Sequence, residues 1–252
     1  MLGTFILWFG WYGFNAGSAV NTHDLNPLIV EAVIVNTTLS AATSGVTALV
    51  TNLFITERRT GEAIYNLTYA MNGCLSGLVA ITAGCAIVEP WAAIVIGAVA
   101  AWLYLLTSNV ILRFCIDDAV DAIPVHFSAG VWGVFSVGFF ATERGMKDLI
   151  GIYDDPPHIG WVYEWARGSG DGTLLACQVI GLLFIIGWVA GLMIPFFLLL
   201  KCFGQLRVDS AEEQVGLDIA FSQHAETTTT GSVGLSEGAL PEVSSHSSKF
   251  SH

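Results

Sequence analysis

Six apolar segments, each near the length of about 20 residues that crosses a bilayer as a helix, constrain the fold of this chain most strongly. They cover about 2–22, 29–54, 64–87, 90–113, 119–142 and 174–201. Charged residues make up only 12% of the chain, whereas an average soluble domain has about 25%. Since backbone N–H and C=O groups find no water in lipid, each segment must satisfy them internally as a helix. The sequence therefore predicts an all-α membrane protein with six transmembrane helices.

Basic residues in the connections predict the orientation of these helices. They are Arg58, Arg59, Arg113, Lys201 and Arg207. All of them fall on one side when the six spans alternate, and basic connections mark the cytoplasmic side. Both termini are therefore expected in the cytoplasm, and the membrane is expected to be the plasma membrane. The connection 143–173, rich in Pro and Gly, is predicted as an irregular extracellular loop.

Composition excludes several classes of function. A formal net charge of -12 would repel the phosphates of a nucleic acid. The five cysteines form no CxxC pair, so neither a disulfide framework nor a zinc site is expected. No nucleotide-binding, protease or other catalytic motif is present, which argues against an enzyme. A haem protein needs paired axial ligands, and only His126 lies deep in a span, so no cofactor is expected.

The composition changes after the membrane region 1–204. Residues 205–226 are acidic and mixed, as in a cytoplasmic tail. Residues 227–252 consist largely of Thr, Ser, Gly and His, and this composition predicts disorder.

Small residues form stripes in several spans. Gly10, Gly13 and Gly17 form one in the first span, and Gly130 and Gly133 form another in the fifth. Such stripes let helices approach closely in lipid, so both are predicted to be packing surfaces.

His126 lies about nine residues, or roughly 13 Å, inside the fifth span. It is either a core histidine satisfied by a neighbour or a residue that lines a pore. The second hypothesis is favoured because Gly130 and Gly133 on nearby turns are expected to leave space. A neutral imidazole offers one donor and one acceptor, which suits a small polar solute.

Two further groups of residues carry open alternatives. Phe14 and Ser18 share a helix face, and they are either a hydrophobic gate with a polar vestibule or ordinary packing, which spacing alone favours. Asp117, Asp118 and Asp121 stand at the start of the fifth span, where carboxylates can cap free backbone N–H groups or serve a function of their own.

Four strings of this sequence resemble the ammonium transporter family (Amt/Mep/Rh). They are WFGWYGFNAGSA at 8–19, NGCLSGLVAITAGC at 72–85, DDAVDAIPVHFSAGVWG at 117–133 and RVDSAEEQVGLD at 207–218. The form of the third string, with Pro124, resembles plant or algal members. The resemblance covers residues 3 to about 226.

The resemblance implies a fold and specific residue roles. Members have eleven spans and assemble as trimers, and this chain resembles spans six to eleven, the C-terminal half. His126 then matches one of two stacked pore histidines, Phe14 a phenylalanine at the outer gate and Ser18 a vestibule residue that contacts ammonium. Trp11 lies in the same pore-side motif, and Asp118 matches an aspartate important for structure.

The resemblance also implies a function and leaves an alternative. Ammonium would be recruited at an aromatic vestibule and would cross as ammonia through a hydrophobic, histidine-lined pore. The residues of the first half are absent from this sequence, so the pore is expected to be incomplete. The alternative is a non-conducting fragment, or a regulatory partner in a mixed trimer rather than a homotrimer.

The fourth string resembles the family's regulatory tail. Its residues with candidate roles are Arg207, Glu212, Glu213, Gly216 and Asp218. The tail is expected to dock on cytoplasmic loops, with Arg58, Arg59 and Arg113 as candidate partners, and so to couple subunits.

Overall fold

The computed structural model describes residues 1–20, 27–150 and 157–208. Within them the chain forms eight α-helices and one π-helical segment. They are α1 (Leu2–Val20), α2 (Pro27–Thr60), α3 (Leu67–Thr82), α4 (Pro90–Arg113), the π-helical segment (Ile123–Ser128), α5 (Ala129–Phe140), α6 (Glu143–Ile150), α7 (Trp161–Ala166) and α8 (Thr173–Cys202). The described residues contain no strand, only an isolated bridge between Val88 and Ala141. The prediction of an all-helical chain is confirmed for this part.

The helices differ from the predicted spans at several ends. α3 ends at Thr82 rather than near residue 87, because residues 83–87 form turns before Pro90 begins α4. The fifth span begins at Ile123, not at 119, since residues 114–121 form the connection from α4. Among the described residues, four helical stretches are long and apolar enough to cross a membrane: Ile29–Thr60, Pro90–Arg113, Ile123–Phe140 and Thr173–Cys202.

The prediction of an irregular loop at 143–173 is wrong in part, because this connection contains α6 and α7. Side-chain ion pairs hold the two short helices. Glu143 accepts from Lys147 at 2.6 Å on α6 and also pairs with Arg167, which follows α7. Burial raises the pKa of Tyr163 on α7, and the charge of Glu89 adds to the shift. The described parts of this connection, 143–150 and 157–173, therefore contain helices outside the spans.

Helices α2, α3 and α4 pack through small residues at close range. The backbone of Ser40 on α2 lies where glycines from two other helices approach it. A Cβ added to Gly77 on α3 or to Gly97 on α4 would stand 2.5 Å or 2.3 Å from the Ser40 carbonyl oxygen. The Ser40 hydroxyl also donates to the Gly77 carbonyl at 2.8 Å. These contacts require glycine, and they place three helices against one another.

The described residues divide into two units, one up to Trp188 and one from Val189 onward. The first contains the packed helices and a core of buried apolar residues from α2 to α5. The second begins within α8 and includes Pro195 inside that helix. No residue of α8 is buried.

Candidate functional site

Trp11 connects α1 to α3. Its indole N–H donates to the Thr82 hydroxyl at 2.9 Å, and that hydroxyl donates to the Leu78 carbonyl at 2.8 Å. The ring of Trp11 also contacts the ring of Phe14, with 5.7 Å between their centroids. One end of α3 therefore positions both aromatic residues.

Phe14 and Ser18 lie on an open face of α1. The side chain of Phe14 is 57% exposed, and Ser18 is exposed as well. The Ser18 hydroxyl donates to the Phe14 carbonyl at 2.8 Å, one helical turn earlier. The hydroxyl oxygen keeps its acceptor lone pairs for another donor. Packing against the other described residues therefore leaves both side chains largely exposed.

The predicted packing stripe of α1 has no partner among the described residues. A Cβ added to Gly10, Gly13 or Gly17 would meet no described atom within 4 Å. Spacing alone could not show this, because the same glycines suit any closely approaching surface.

His126 stands in the π-helical segment Ile123–Ser128 rather than in a regular α-helix. Pro124 has no N–H to donate, and the Ser128 hydroxyl donates to the Pro124 carbonyl at 2.5 Å. The imidazole of His126 is exposed, while Pro124 and Val125 are buried. Single π turns within helices are frequent at functional sites. Pro124 and Val125 thus hold the segment in the core, while the imidazole of His126 faces outward.

The two glycines that follow His126 have different surroundings. A Cβ at Gly130 would meet only Val79 on α3, at 3.8 Å, so this position leaves space as predicted. At Gly133 a Cβ would stand 2.6 Å from the Ala80 carbonyl oxygen, so the prediction of space there is wrong. Gly133 is instead a close contact between α5 and α3.

α3 connects the two candidate regions. Val79 faces Gly130, and Thr82 bonds to Trp11. Residues three apart share one face of a helix. Trp11 of α1 and the helix that carries His126 therefore contact the same face of α3, one turn apart.

Two of the three aspartates have distinct roles. The Asp118 carboxylate accepts from the backbone N–H groups of Ala122 and Ile123, both at 2.8 Å, which is helix capping. The hydrogen bonds to the Asp121 carboxylate come from side chains rather than from backbone N–H groups. It accepts side-chain hydrogen bonds from Tyr104 and Ser108 on α4 and from Asn72 on α3, at 3.0, 3.1 and 3.2 Å.

Asp121 also has a left-handed backbone, with φ of 57°. Asp tolerates this region better than most residues other than glycine. The turn aims its carboxylate back at α3 and α4, so Asp121 ties the start of the fifth span to both helices. Asp117, next to Asp118, is exposed.

Sequence reasoning missed several polar residues that the helices bury. The Asn15 side-chain amide donates to the Thr37 hydroxyl at 2.9 Å, and that of Asn36 donates to the Cys85 and Val88 carbonyls, both at 2.8 Å. Their side-chain oxygens have no partner within the described chain. The signal was available, because a polar side chain inside an apolar span is costly unless it has a role.

The tail residues Glu212, Glu213, Gly216 and Asp218 lie outside the described residues, as does all of 227–252. Arg207 is described and exposed. Within the described ranges no cluster of three His, Cys, Asp or Glu could hold a metal ion, and the five cysteines there form no disulfide.

Comparison with known proteins identifies the family. A family model described as "Ammonium Transporter Family" matches residues 1–229. Ammonium transporter 1 member 1 from Solanum lycopersicum is 37% identical over 230 residues, which cover 87% of this chain and 44% of that protein. Putative ammonium transporter 1 member 5 from Arabidopsis thaliana is 38% identical over 253 residues, covering 96% of this chain and 49% of that protein.

Comparison with solved structures points to the same family. A sensor Amt protein matches with a TM-score of 0.68 and 33% identity, over 87% of this chain and 47% of that one. Saccharomyces cerevisiae Mep2 matches with a TM-score of 0.69 and 29% identity, over 84% and 44%. This chain belongs to the ammonium transporter family and is an integral membrane protein. It spans about half the length of the curated relatives it matches.

Proposed function

We propose that this member of the family forms one wall of a membrane pore that carries ammonium or ammonia. The wall comprises the open face of α1, with Phe14 and Ser18, and the π-helical segment with His126. The observation that carries the proposal is that these three side chains are exposed, although neighbouring residues of the same segments are buried. A surface built this way is complete only when further helices face it.

The missing helices are, in this proposal, spans one to five of the family fold, so this chain corresponds to spans six to eleven. The order of the four motifs along the chain supports this assignment. The open glycine stripe of α1, Gly10, Gly13 and Gly17, supports it too, since it leaves a surface for another helix. The similarity to plant relatives fits the proposal of a plant or algal type.

The proposed mechanism avoids moving a bare cation through lipid. A charge in a low-dielectric pore costs many kcal/mol, so the cation is held first at an aromatic vestibule. The face of Trp11 offers a cation–π contact and Ser18 offers an acceptor. After ammonium gives its proton to water at the vestibule, neutral ammonia passes Phe14 and exchanges hydrogen bonds with the imidazole of His126.

The test of this proposal adds the helices that would face this wall. Residues 1–252 are joined behind the first five spans of the Solanum lycopersicum relative and expressed in yeast that lacks its own ammonium transporters. Growth on low ammonium is expected, and it should be lost in a joined protein with Phe14→Asp, which places a charge in the apolar gate. Absence of growth, with the joined protein confirmed at the plasma membrane, contradicts the proposal.

A second candidate function is a non-conducting fragment or a regulatory partner in a mixed trimer. The observation that favours it is the coverage of only about half of each relative. Co-expression with a full-length transporter separates the two. A partner changes the uptake by the full-length protein and co-purifies with it, whereas a pore wall alone does neither.

The tail 205–226 is proposed to couple subunits in the trimer, and 227–252 to tune that coupling through phosphorylation. A single exposed charge pair is worth about 0–1 kcal/mol, so several phosphates would have to act together. Truncation of the joined protein after Glu226 should retain uptake, and truncation after Gly204 should lose most of it. Equal uptake by the two truncations contradicts the coupling role.

A further inference from the structure

The π-helical segment around His126 contains one hydroxyl that the proposed pore wall does not use. Ser128 ends that segment, and its side chain is half-buried, unlike the exposed side chain of His126. Its hydroxyl donates to the Pro124 carbonyl at 2.5 Å, across the turn that carries the imidazole. We infer that Ser128 is a positioning residue, which holds the π turn and thereby sets the direction of the His126 imidazole. The inference rests on the pore role proposed for His126.

The backbone pairing of the segment explains why the Pro124 carbonyl takes a side-chain donor. In an α-helix the N–H of Ser128 would bond to the carbonyl four residues earlier, which is that of Pro124. In a π turn each N–H bonds to the carbonyl five residues earlier, so this N–H is directed past Pro124. The Ser128 hydroxyl donates to the Pro124 carbonyl in its place. The side chain therefore satisfies the carbonyl that the π pairing bypasses.

Hydroxyls in the regular helices make a similar bond in a different setting. Ser76 and Thr82 on α3 each donate to the carbonyl four residues earlier, both at 2.8 Å. Those carbonyls belong to the regular pairing of an α-helix, so the hydroxyl is a second donor to a turn that is already paired. The bond itself is therefore ordinary. The π pairing around Ser128 is what gives its hydroxyl control over the turn.

Both flanks of the imidazole are anchored, so the pairing between them decides where it points. On one side Val125 is buried in a cluster with residues of α2 and α4. On the other side the Trp132 indole N–H donates to the Ile96 carbonyl at 3.0 Å. Each residue of an α-helix turns the chain by about 100°, so a return to α pairing between fixed flanks would redirect His126 by an angle of that order. The Ser128 bond opposes that return.

The first test measures the direction of the imidazole in the purified 252-residue chain, without transport. Diethylpyrocarbonate, a small uncharged reagent, modifies neutral imidazoles, and mass spectrometry of the digested chain gives the rate at His126 relative to that at His158, which is exposed outside the spans. Ser128→Ala should lower this relative rate roughly fivefold, the factor by which a typical hydrogen bond shifts an equilibrium, because the imidazole turns towards the packed helices. Ser128→Thr keeps the hydroxyl and should react like the unmodified chain.

Ser136→Ala is the matched control. Ser136 lies on α5 in the same span, and its hydroxyl donates to the Gly133 carbonyl at 2.7 Å within a regular helix, so its loss should leave the rate at His126 unchanged. Circular dichroism and size-exclusion chromatography check that each variant is folded, and Ser128→Cys, with a weaker donor of similar size, replaces Ser128→Ala if the latter is not. An unchanged rate in the folded Ser128 variant overturns the inference, and so does an equal change in Ser136→Ala.

The second test asks whether Ser128 acts through His126. In the joined protein, Ser128→Ala should change ammonium uptake per folded transporter in the same direction as His126→Ala, and by less. Adding Ser128→Ala to His126→Ala should change nothing further, because the imidazole that Ser128 positions is gone. Effects of the two substitutions that multiply independently overturn the inference. A joined protein that does not conduct contradicts the proposed function instead, and the modification rates in the 252-residue chain then decide the inference on Ser128.

Discussion

The α2–α3–α4 bundle and the face formed by α1 and the π-helical segment use the same residue types for opposite purposes. In the bundle, Gly77 and Gly97 contact the Ser40 backbone at distances that exclude any side chain. On α1, Gly10 and Gly13 meet nothing within 4 Å in the described chain. The bundle glycines thus have their neighbours among the described residues, whereas the glycines of the open face have none there.

Polar residues repeat the contrast. Asp121 is satisfied by three side chains of α3 and α4 and so belongs to the packed bundle. His126, only five positions later, is exposed and has no comparable set of partners in the described ranges. A polar group in a span therefore indicates structure when the chain itself satisfies it. It indicates function when the chain leaves it open.

The largest expected effect is from filling the bundle glycine. Gly97→Leu forces a side chain onto the Ser40 backbone, and overpacking typically costs about 1–3 kcal/mol, or more where backbone must move. We expect most folded protein to be lost, as measured by the monodisperse fraction in size-exclusion chromatography. Gly13→Leu, the matched change on the open face, should keep the yield of the unmodified chain. Equal yields would remove the distinction between the two regions.

Removing the Asp121 carboxylate should give the next largest effect. Asp121→Ala leaves three donors without their acceptor, and hydrogen bonds to a charged group are worth about 1.5–3 kcal/mol each. Asp121→Asn should be milder, because Asn accepts through one oxygen and tolerates the left-handed backbone. Thermal unfolding in detergent should rank the midpoints as unmodified, then Asn, then Ala. An unchanged midpoint for the Ala variant would show that the three bonds add nothing.

His126→Ala should separate function from stability. The imidazole is exposed, so its removal should change the free energy of unfolding by no more than about 0.5 kcal/mol. In the joined protein the same change should alter ammonium uptake about tenfold, since water can fill the vacated space but does not reproduce the imidazole. Unaltered uptake would contradict a pore role for His126.

Acidification should have the smallest effect on stability. The group concerned, Asp171, lies outside the membrane spans. The pKa of Asp171 is lowered to about 2, first by the Thr173 hydroxyl, then by the Thr173 backbone N–H and by His158 at 2.5 Å. An unfolded Asp titrates near pKa 3.9, so this stabilisation is present above about pH 4 and is lost as the pH falls towards 2. Protection of the Thr173 amide from hydrogen exchange should therefore be flat from pH 7 to 5. A loss already between pH 7 and 5 would contradict this role of the Asp171 carboxylate.

Hydropathy and charge were sufficient to predict a helical membrane chain, and the strings around Trp11 and His126 were sufficient to predict its family. Contacts between helices were not predictable, because spacing does not tell whether Gly13 and Gly133 face a neighbour. The role of Asp121 was missed for a related reason. Its partners Tyr104 and Asn72 are distant in sequence. A left-handed turn directs the carboxylate at them, and no sequence pattern predicted that turn.

The most direct test compares ammonia conduction by the 252-residue chain with conduction by the joined protein. The 252-residue chain and the joined protein are reconstituted separately into proteoliposomes, and internal alkalinisation after an ammonium pulse is followed by a pH-sensitive dye. We expect ammonia conduction by the joined protein and none above that of empty liposomes by the 252-residue chain alone, because the candidate pore face of that chain is open. Conduction by the correctly inserted 252-residue chain alone would contradict the claim that this face is one wall of an unfinished pore.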